Sequence, residues 1–175
     1  MNLTQLARKT LEFHFEGRKF EPDESTKKKF SKKQACFVTL TINKQLRGCI
    51  GSLIARQELW KDVQENSLNA SFSDPRFYPL TKEELKKVKI EVSVLSIPKK
   101  LEFKDEKDLL EKINNKMGII LKKDYHTATF LPQVWEQLPD KIDFLGQLSL
   151  KAGLNKDAWK NSEIEYYTVK IEKEK

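Results

Sequence analysis

A chain of 175 residues with 33 Lys and Arg against 26 Asp and Glu carries a formal charge of +7 and is long enough for one domain, 1–175, with a core of its own. Two cysteines, Cys36 and Cys49, exclude a disulfide scaffold and suit a reduced, cytoplasmic setting. No apolar run approaches the roughly 20 residues of a membrane-spanning helix, and Met1-Asn2-Leu3-Thr4-Gln5-Leu6 turns polar too early for a secretory signal. The positive charge invites a nucleic-acid reading, but the basic residues are nearly all lysine, with arginine at 8, 18, 47, 56 and 76 alone. Lysine dominance argues against a nucleic-acid surface, which favours bidentate arginine.

Residues 2–16 read as a helix with Leu3, Leu6, Ala7, Thr10 and His14 on one face. His14 is thereby expected to be a hydrogen-bonded core residue rather than a ligand, since no second metal-ligating residue stands at helical spacing. Residues 17–34 are polar and rich in turn formers and read as a long loop. Within it Lys27-Lys28-Lys29, Lys32 and Lys33 form a solvated cluster able to touch an acidic partner.

Residues 35–42 read as a strand, Asn43-Lys44-Gln45 as a turn, and residues 46–50 as the returning strand of a hairpin. Strict alternation places Arg47 and Cys49 on one face, with Leu46 and Ile50 on the other. A helix over 57–72 buries Leu59, Trp60, Val63, Ser67 and Ala70. The loop Ser73-Asp74-Pro75-Arg76-Phe77-Tyr78-Pro79-Leu80 is held extended by its two prolines.

Thr81-Lys82-Glu83-Glu84 has the capping-box pattern for a helix over 82–87. A half-exposed strand follows over 88–97, then a helix over 105–115. Next come a buried strand over 118–121, a turn over 122–125 and a returning strand over 126–131. His126 in that hairpin is expected to be an exposed or turn residue. A helical turn begins at Leu131, and an amphipathic helix over 140–152 is built on Ile142, Leu145, Leu148 and Leu150 with Gly153 as its C-cap. Residues 163–172 make a closing strand. This order implies the α+β class, with a mostly antiparallel sheet flanked by helices.

The densest chemistry lies at Leu46-Arg47-Gly48-Cys49-Ile50-Gly51. Two readings stand side by side. In one, Arg47 binds an anion and Cys49 is a thiol activated by the neighbouring cation. In the other, Gly48 and Gly51 mark a bulge or strand end and Cys49 is a small buried hydrophobe. The Asp74–Phe77 loop divides the same way. Either a rigid frame presents Asp74, Arg76 and Phe77 to a ligand, or Asp74 and Arg76 pair with each other and the rings plug the core. No Walker loop, dinucleotide fingerprint or zinc spacing is present.

Together these motifs resemble the AMMECR-one domain family. Leu46–Gly51 is similar to its six-residue signature, and Asp74-Pro75-Arg76-Phe77 followed by Pro79-Leu80 to its second motif. Leu131-Pro132-Gln133-Val134, Phe144-Leu145, Leu150-Lys151-Ala152-Gly153-Leu154 and Trp159 follow in the family's order, so the likeness covers about residues 3–172. The resemblance implies a compact α+β domain with a larger and a smaller lobe. Bacterial and archaeal members carry the label of protein A of the AmmeMemoRadiSam system, which implies association with a radical SAM protein and a Memo-like protein. It carries over positions rather than a reaction: Arg47, Gly48, Cys49 and Gly51, and Asp74, Pro75, Arg76 and Phe77. Cofactor and oligomeric state are left open. Three functions follow for testing: an enzyme or enzyme component with Cys49 as its thiol, Arg47, Gly48, Gly51, Asp74, Arg76 and Phe77 binding the ligand; a non-enzymatic adaptor; and a nucleic-acid binder.

Overall fold

The computed structural model, which describes residues 1–174, divides into two compact units: Met1–Leu95 with the C-terminal residues from Lys170, and Ser96–Val169. Each has its own sheet and its own hydrophobic core, and the fold is of the α+β class. No helix among the described residues is long and apolar enough to cross a membrane.

Helix α1 spans Leu3–Phe15 and starts at a capping box. The Asn2 carbonyl oxygen of the side chain accepts from the Gln5 N–H at 2.8 Å, and the Gln5 side chain accepts from the Asn2 N–H at 2.9 Å. The expected loop after it holds a short helix, α2 (Glu24–Lys29), opened by Asp23, which accepts from the Thr26 N–H at 2.7 Å. The lysine run therefore closes a helix, where cations complement the carbonyl end, and Lys27 pairs with both Glu21 and Glu24. Strands β1 (Cys36–Ile42) and β2 (Gln45–Gly51) are joined by Asn43 and Lys44. Both have positive φ, 52° and 66°, the two-residue geometry that matches strand twist.

Helix α3 (Leu59–Phe72), α4 (Lys82–Leu85) and β3 (Lys89–Leu95) follow. The smaller unit contributes β4 (Lys99–Lys100), α5 (Glu106–Lys112), β5 (Gly118–Lys123), β6 (His126–Phe130), a 3-10 turn (Pro132–Glu136), α6 (Lys141–Lys151) and β7 (Glu163–Tyr167). The single closing strand expected over 163–172 is two, because β8 (Val169–Lys173) is separate. The chain breaks at Thr168, whose N–H donates to Ser96 Oγ and whose carbonyl accepts from the Ser96 N–H, each at 2.9 Å.

In the larger unit the strand order is β2-β1-β3-β8. Cys36, Val38 and Leu40 of β1 are buried with Leu6 and Leu11 of α1, Val63 of α3, and Ile90 and Val92 of β3. In the smaller unit the order is β4-β7-β5-β6, over a core of Ile119, Leu121, Phe144, Leu145, Leu148, Trp159 and Ile164. Several burial expectations fail: Trp60 of α3 is only half-buried, and β3, expected to be half-exposed, is buried from Val92 to Leu95. Ile142 and Leu150 of α6 are exposed, and Phe144 and Ser149 take the inner places. His14 is exposed in the last turn of α1, its ring 4.6 Å from that of Phe72. The helical stripe gave it the right face, but the helix outruns the core beneath it. His126 is exposed as expected, with Nδ1 2.8 Å from the Ala152 carbonyl oxygen.

Candidate functional site

The site is built on β2, an edge strand. Its register against β1 runs Val38–Ile50, Thr39–Cys49 and Leu40–Gly48, and then slips, so that Thr41 faces Leu46. Arg47 is the additional residue of a β-bulge. Cross-strand partners share a face. Leu46 and Cys49 therefore lie on the side of Thr41 and Thr39, and Ile50 lies on the other with Val38. This corrects the alternation read from sequence, which grouped Leu46 with Ile50. The bulge also re-aims Arg47. Its Nε and Nη2 donate to the two Glu84 carboxylate oxygens at 2.9 Å each, and Nη2 also donates to the Tyr78 carbonyl at 2.9 Å. The cation expected to activate Cys49 is committed to Glu84.

The free edge of β2 at Cys49 is covered by side chains. Asp74 Oδ2 accepts from the Cys49 N–H at 2.9 Å, and Arg76 Nη2 donates to the Cys49 carbonyl at 3.2 Å. Asp74 and Arg76 are joined by Nε–Oδ1 at 3.0 Å and Nη2–Oδ2 at 2.7 Å. An ion pair thus does for one residue what a neighbouring strand would do for an edge. The Asp74 side chain is 2% exposed and that of Arg76 54%. The Arg76 guanidinium holds the Asp74 carboxyl well below the usual carboxylate range, against the opposing effect of burial, and Asp74 in turn raises the pKa of Arg76. Arg47 likewise holds Glu84 down to about 2, with help from the Thr81 N–H.

Phe77 is close to both cations, its ring centroid 5.8 Å from the Arg47 guanidinium carbon and 5.6 Å from that of Arg76. Cations near an aromatic ring are attracted by its quadrupole. Asp74 and Arg76 do pair, but the rings do not plug the core: Phe77 is half-buried and Tyr78 is 90% exposed.

The two glycines are packing residues. A Cβ on Gly48 would stand 2.1 Å from the Ala70 carbonyl oxygen of α3, and one on Gly51 would stand 2.3 Å from the Phe37 ring. The chain itself fills the space a ligand would need there. Cys49 is half-buried, with Sγ 3.2 Å from Thr39 Oγ1. Cys36 is fully buried, and burial foremost pushes its thiol pKa well up, with Asp62 adding to the rise. Because thiolate is the reactive form, native protein treated with iodoacetamide should label at Cys49 and spare Cys36, with both labelling in urea. Mass spectrometry of the peptides reads this directly; equal native labelling would contradict it. No group of His, Cys, Asp and Glu among the described residues could hold a metal ion.

Sequence reasoning missed two acids. Glu84 was legible only as a capping residue, which it is, accepting from the Thr81 N–H at 2.9 Å, yet it also clamps Arg47. Asp62 is buried and accepts from the Cys36 N–H at 2.9 Å, Asn66 Nδ2 at 3.0 Å and Ser52 Oγ at 2.9 Å. It ties α3 to the start of β1 and the exit of β2. The polar pair Asp62 and Asn66, four apart beside an apolar stripe, was the available signal.

Comparison with known proteins agrees with the sequence motifs. The AMMECR1 family model matches residues 4–173. A Nanoarchaeum equitans protein is 42% identical over 95% of this chain and 94% of its own. One from Methanosarcina barkeri is 40% identical over 98% of this chain and 88% of its own. The crystal structure of an uncharacterized Pyrococcus horikoshii protein superposes with a TM-score of 0.85 at 31% identity, covering 99% of this chain and 90% of that one. With a family model spanning nearly its whole length, the chain belongs to the AMMECR1 family.

Proposed function

We propose that the protein is a binding component of a multiprotein system, and that the β2 edge with the Asp74–Tyr78 loop is the surface it offers to a protein partner. One observation carries this reading. Phe77 has two guanidiniums 5.8 and 5.6 Å from its ring centroid, each already neutralised by its own carboxylate, and the next residue along the chain is the exposed Tyr78. A surface ordered in advance loses less freedom on binding, and Tyr and Arg are the residues that anchor interfaces. The same pairing weakens a catalytic reading: Asp74 and Glu84 are held ionised and cannot supply a proton near neutral pH.

The partners to test are a radical SAM protein and a Memo-like protein from the same genome, as the family resemblance implies. Calorimetry with the purified proteins should detect association with one of them. Tyr78→Ala should weaken it about tenfold or more, without altering the melting temperature, because the ring is solvent-exposed. No association with either protein, or unchanged affinity in both Tyr78→Ala and Arg76→Ala, would overturn the reading. A second reading makes Cys49 a nucleophile, favoured by its partly open thiol beside the Thr39 hydroxyl. Full cellular function of Cys49→Ala would sink it.

A further inference from the structure

Between the last turn of α1, residues 17–20 and α3 lies a cavity of about 660 Å³, a volume typical of small-molecule sites. It shares no residue with the β2 edge or the Asp74–Tyr78 loop. Phe20, Trp60 and Leu68 give it apolar walls. Its rim carries the cations Arg18, Lys19 and Lys61 against the single carboxylate of Glu65. Arg18 is taken by Glu16 and Lys61 by Glu58, which leaves Lys19 as the rim cation with no ion pair among the described residues.

Gln64 also lines this cavity and is more than nine-tenths buried. Its Nε2 donates to the Phe20 carbonyl at 2.9 Å and to Thr10 Oγ1 at 3.3 Å. A carbonyl can only accept, so the amide cannot be turned over. Gln64 Oε1 is thereby left without a hydrogen-bond donor among the described residues. The oxygen itself is not sealed off, so a donor from water or from a ligand in the cavity can reach it.

We propose that this cavity binds a small amphiphilic anion. A flat apolar body of about bicyclic size sits against Phe20, Trp60 and Leu68. Its carboxylate meets Lys19, at a rim whose other cations, Arg18 and Lys61, are already paired, and an N–H or O–H of the ligand donates to Gln64 Oε1. The cavity is an open groove formed within one unit of the fold, and its volume suits a small molecule.

Indole-3-acetate carries all three features and serves as the probe. Titration of the full chain, followed by calorimetry and by amide shifts in nuclear magnetic resonance, should saturate, with shifts confined to the end of α1, residues 17–20 and α3. Three changes should each weaken it about tenfold, one lost polar or charged contact apiece: 1-methylindole-3-acetate, which lacks the donor; indole-3-ethanol, which lacks the charge; and the exposed-rim variant Lys19→Glu with Lys61→Glu. No saturation at millimolar probe, shifts spread over other surfaces, or equal binding of the neutral alcohol would overturn the proposal. Equal binding by the rim variant would do the same, and its unchanged melting curve would show that the fold is intact.

Discussion

Gly48→Ala is expected to lower the unfolding free energy of the protein by about 3 kcal/mol or more, at the upper end of overpacking effects. The added carbon would stand 2.1 Å from the Ala70 carbonyl oxygen and 3.1 Å from its carbonyl carbon. Both are backbone atoms, so no rotamer change relieves the clash, and α3 must move bodily. It is poorly placed to do so, because Asp62 and Asn66 pin the same helix to Cys36 and Ser52. At about 2–4 °C per kcal/mol for a chain of this size, the melting temperature should fall by about 6–12 °C. Gly17→Ala is the control. Nothing lies within 4 Å of its added carbon, and only the positive φ of 72° opposes it, so a loss of about 1 kcal/mol is expected. Equal and small losses in circular-dichroism melts of the two variants would show that α3 does not rest on Gly48 as described. A large loss would mean that this signature glycine sets the distance between helix and strand, and through it the position of Arg47 and Cys49 on either side.

How much of this was readable beforehand depends on the range of the signal. The β1–β2 hairpin, α1 and α3 were legible because apolar periodicity and turn residues are local. Asp23–Lys29 was not read as a helix because it presents no apolar stripe; Thr26 is its buried residue, and a run of lysines looks the same in a loop or in a last turn. The bulge was one of two readings of Gly48 and Gly51, but its place at Arg47 could not be read, because register belongs to two strands at once and nothing within β2 says which residue is additional. That missed register reversed the face assigned to Leu46 and hid the turn of Arg47 toward Glu84. The split at Thr168 was missed for a similar reason, since the residue that interrupts the strand is held by Ser96, far away in sequence. In the candidate site, the Asp74–Arg76 pair could be foreseen from two residues on one rigid loop. Its attachment to both backbone groups of Cys49 could not, because an edge strand is recognisable only once the sheet order is known.

Asp74→Ala is expected to cost about 1–3 kcal/mol, chiefly because it strands the Cys49 N–H, while the half-exposed Arg76 fork that it frees regains water. The pH dependence separates charge from packing. Asp74 and Glu84 both have folded-state values below their ordinary ones, so the unfolded chain binds their protons first. Their contribution is complete above the unfolded values near 4 and is lost as pH falls through the folded ones. For Glu84 that window runs from its ordinary 4.5 down to about 2, and for Asp74 it begins near 3.8 and extends lower. Urea midpoints of the wild type should therefore be level from about pH 5 to 8 and decline below about pH 4.5. Asp74→Asn with Glu84→Gln keeps an acceptor for Cys49 and for the Thr81 cap but removes both charges. It should begin lower at pH 7 and decline less steeply, so that the two curves converge as the acids of the wild type become protonated. Parallel curves would place the acid sensitivity elsewhere and would mean that neither ion pair supports the β2 edge. Convergence would show that the two charge pairs beside Phe77 and Tyr78 supply the acid-sensitive part of the stability.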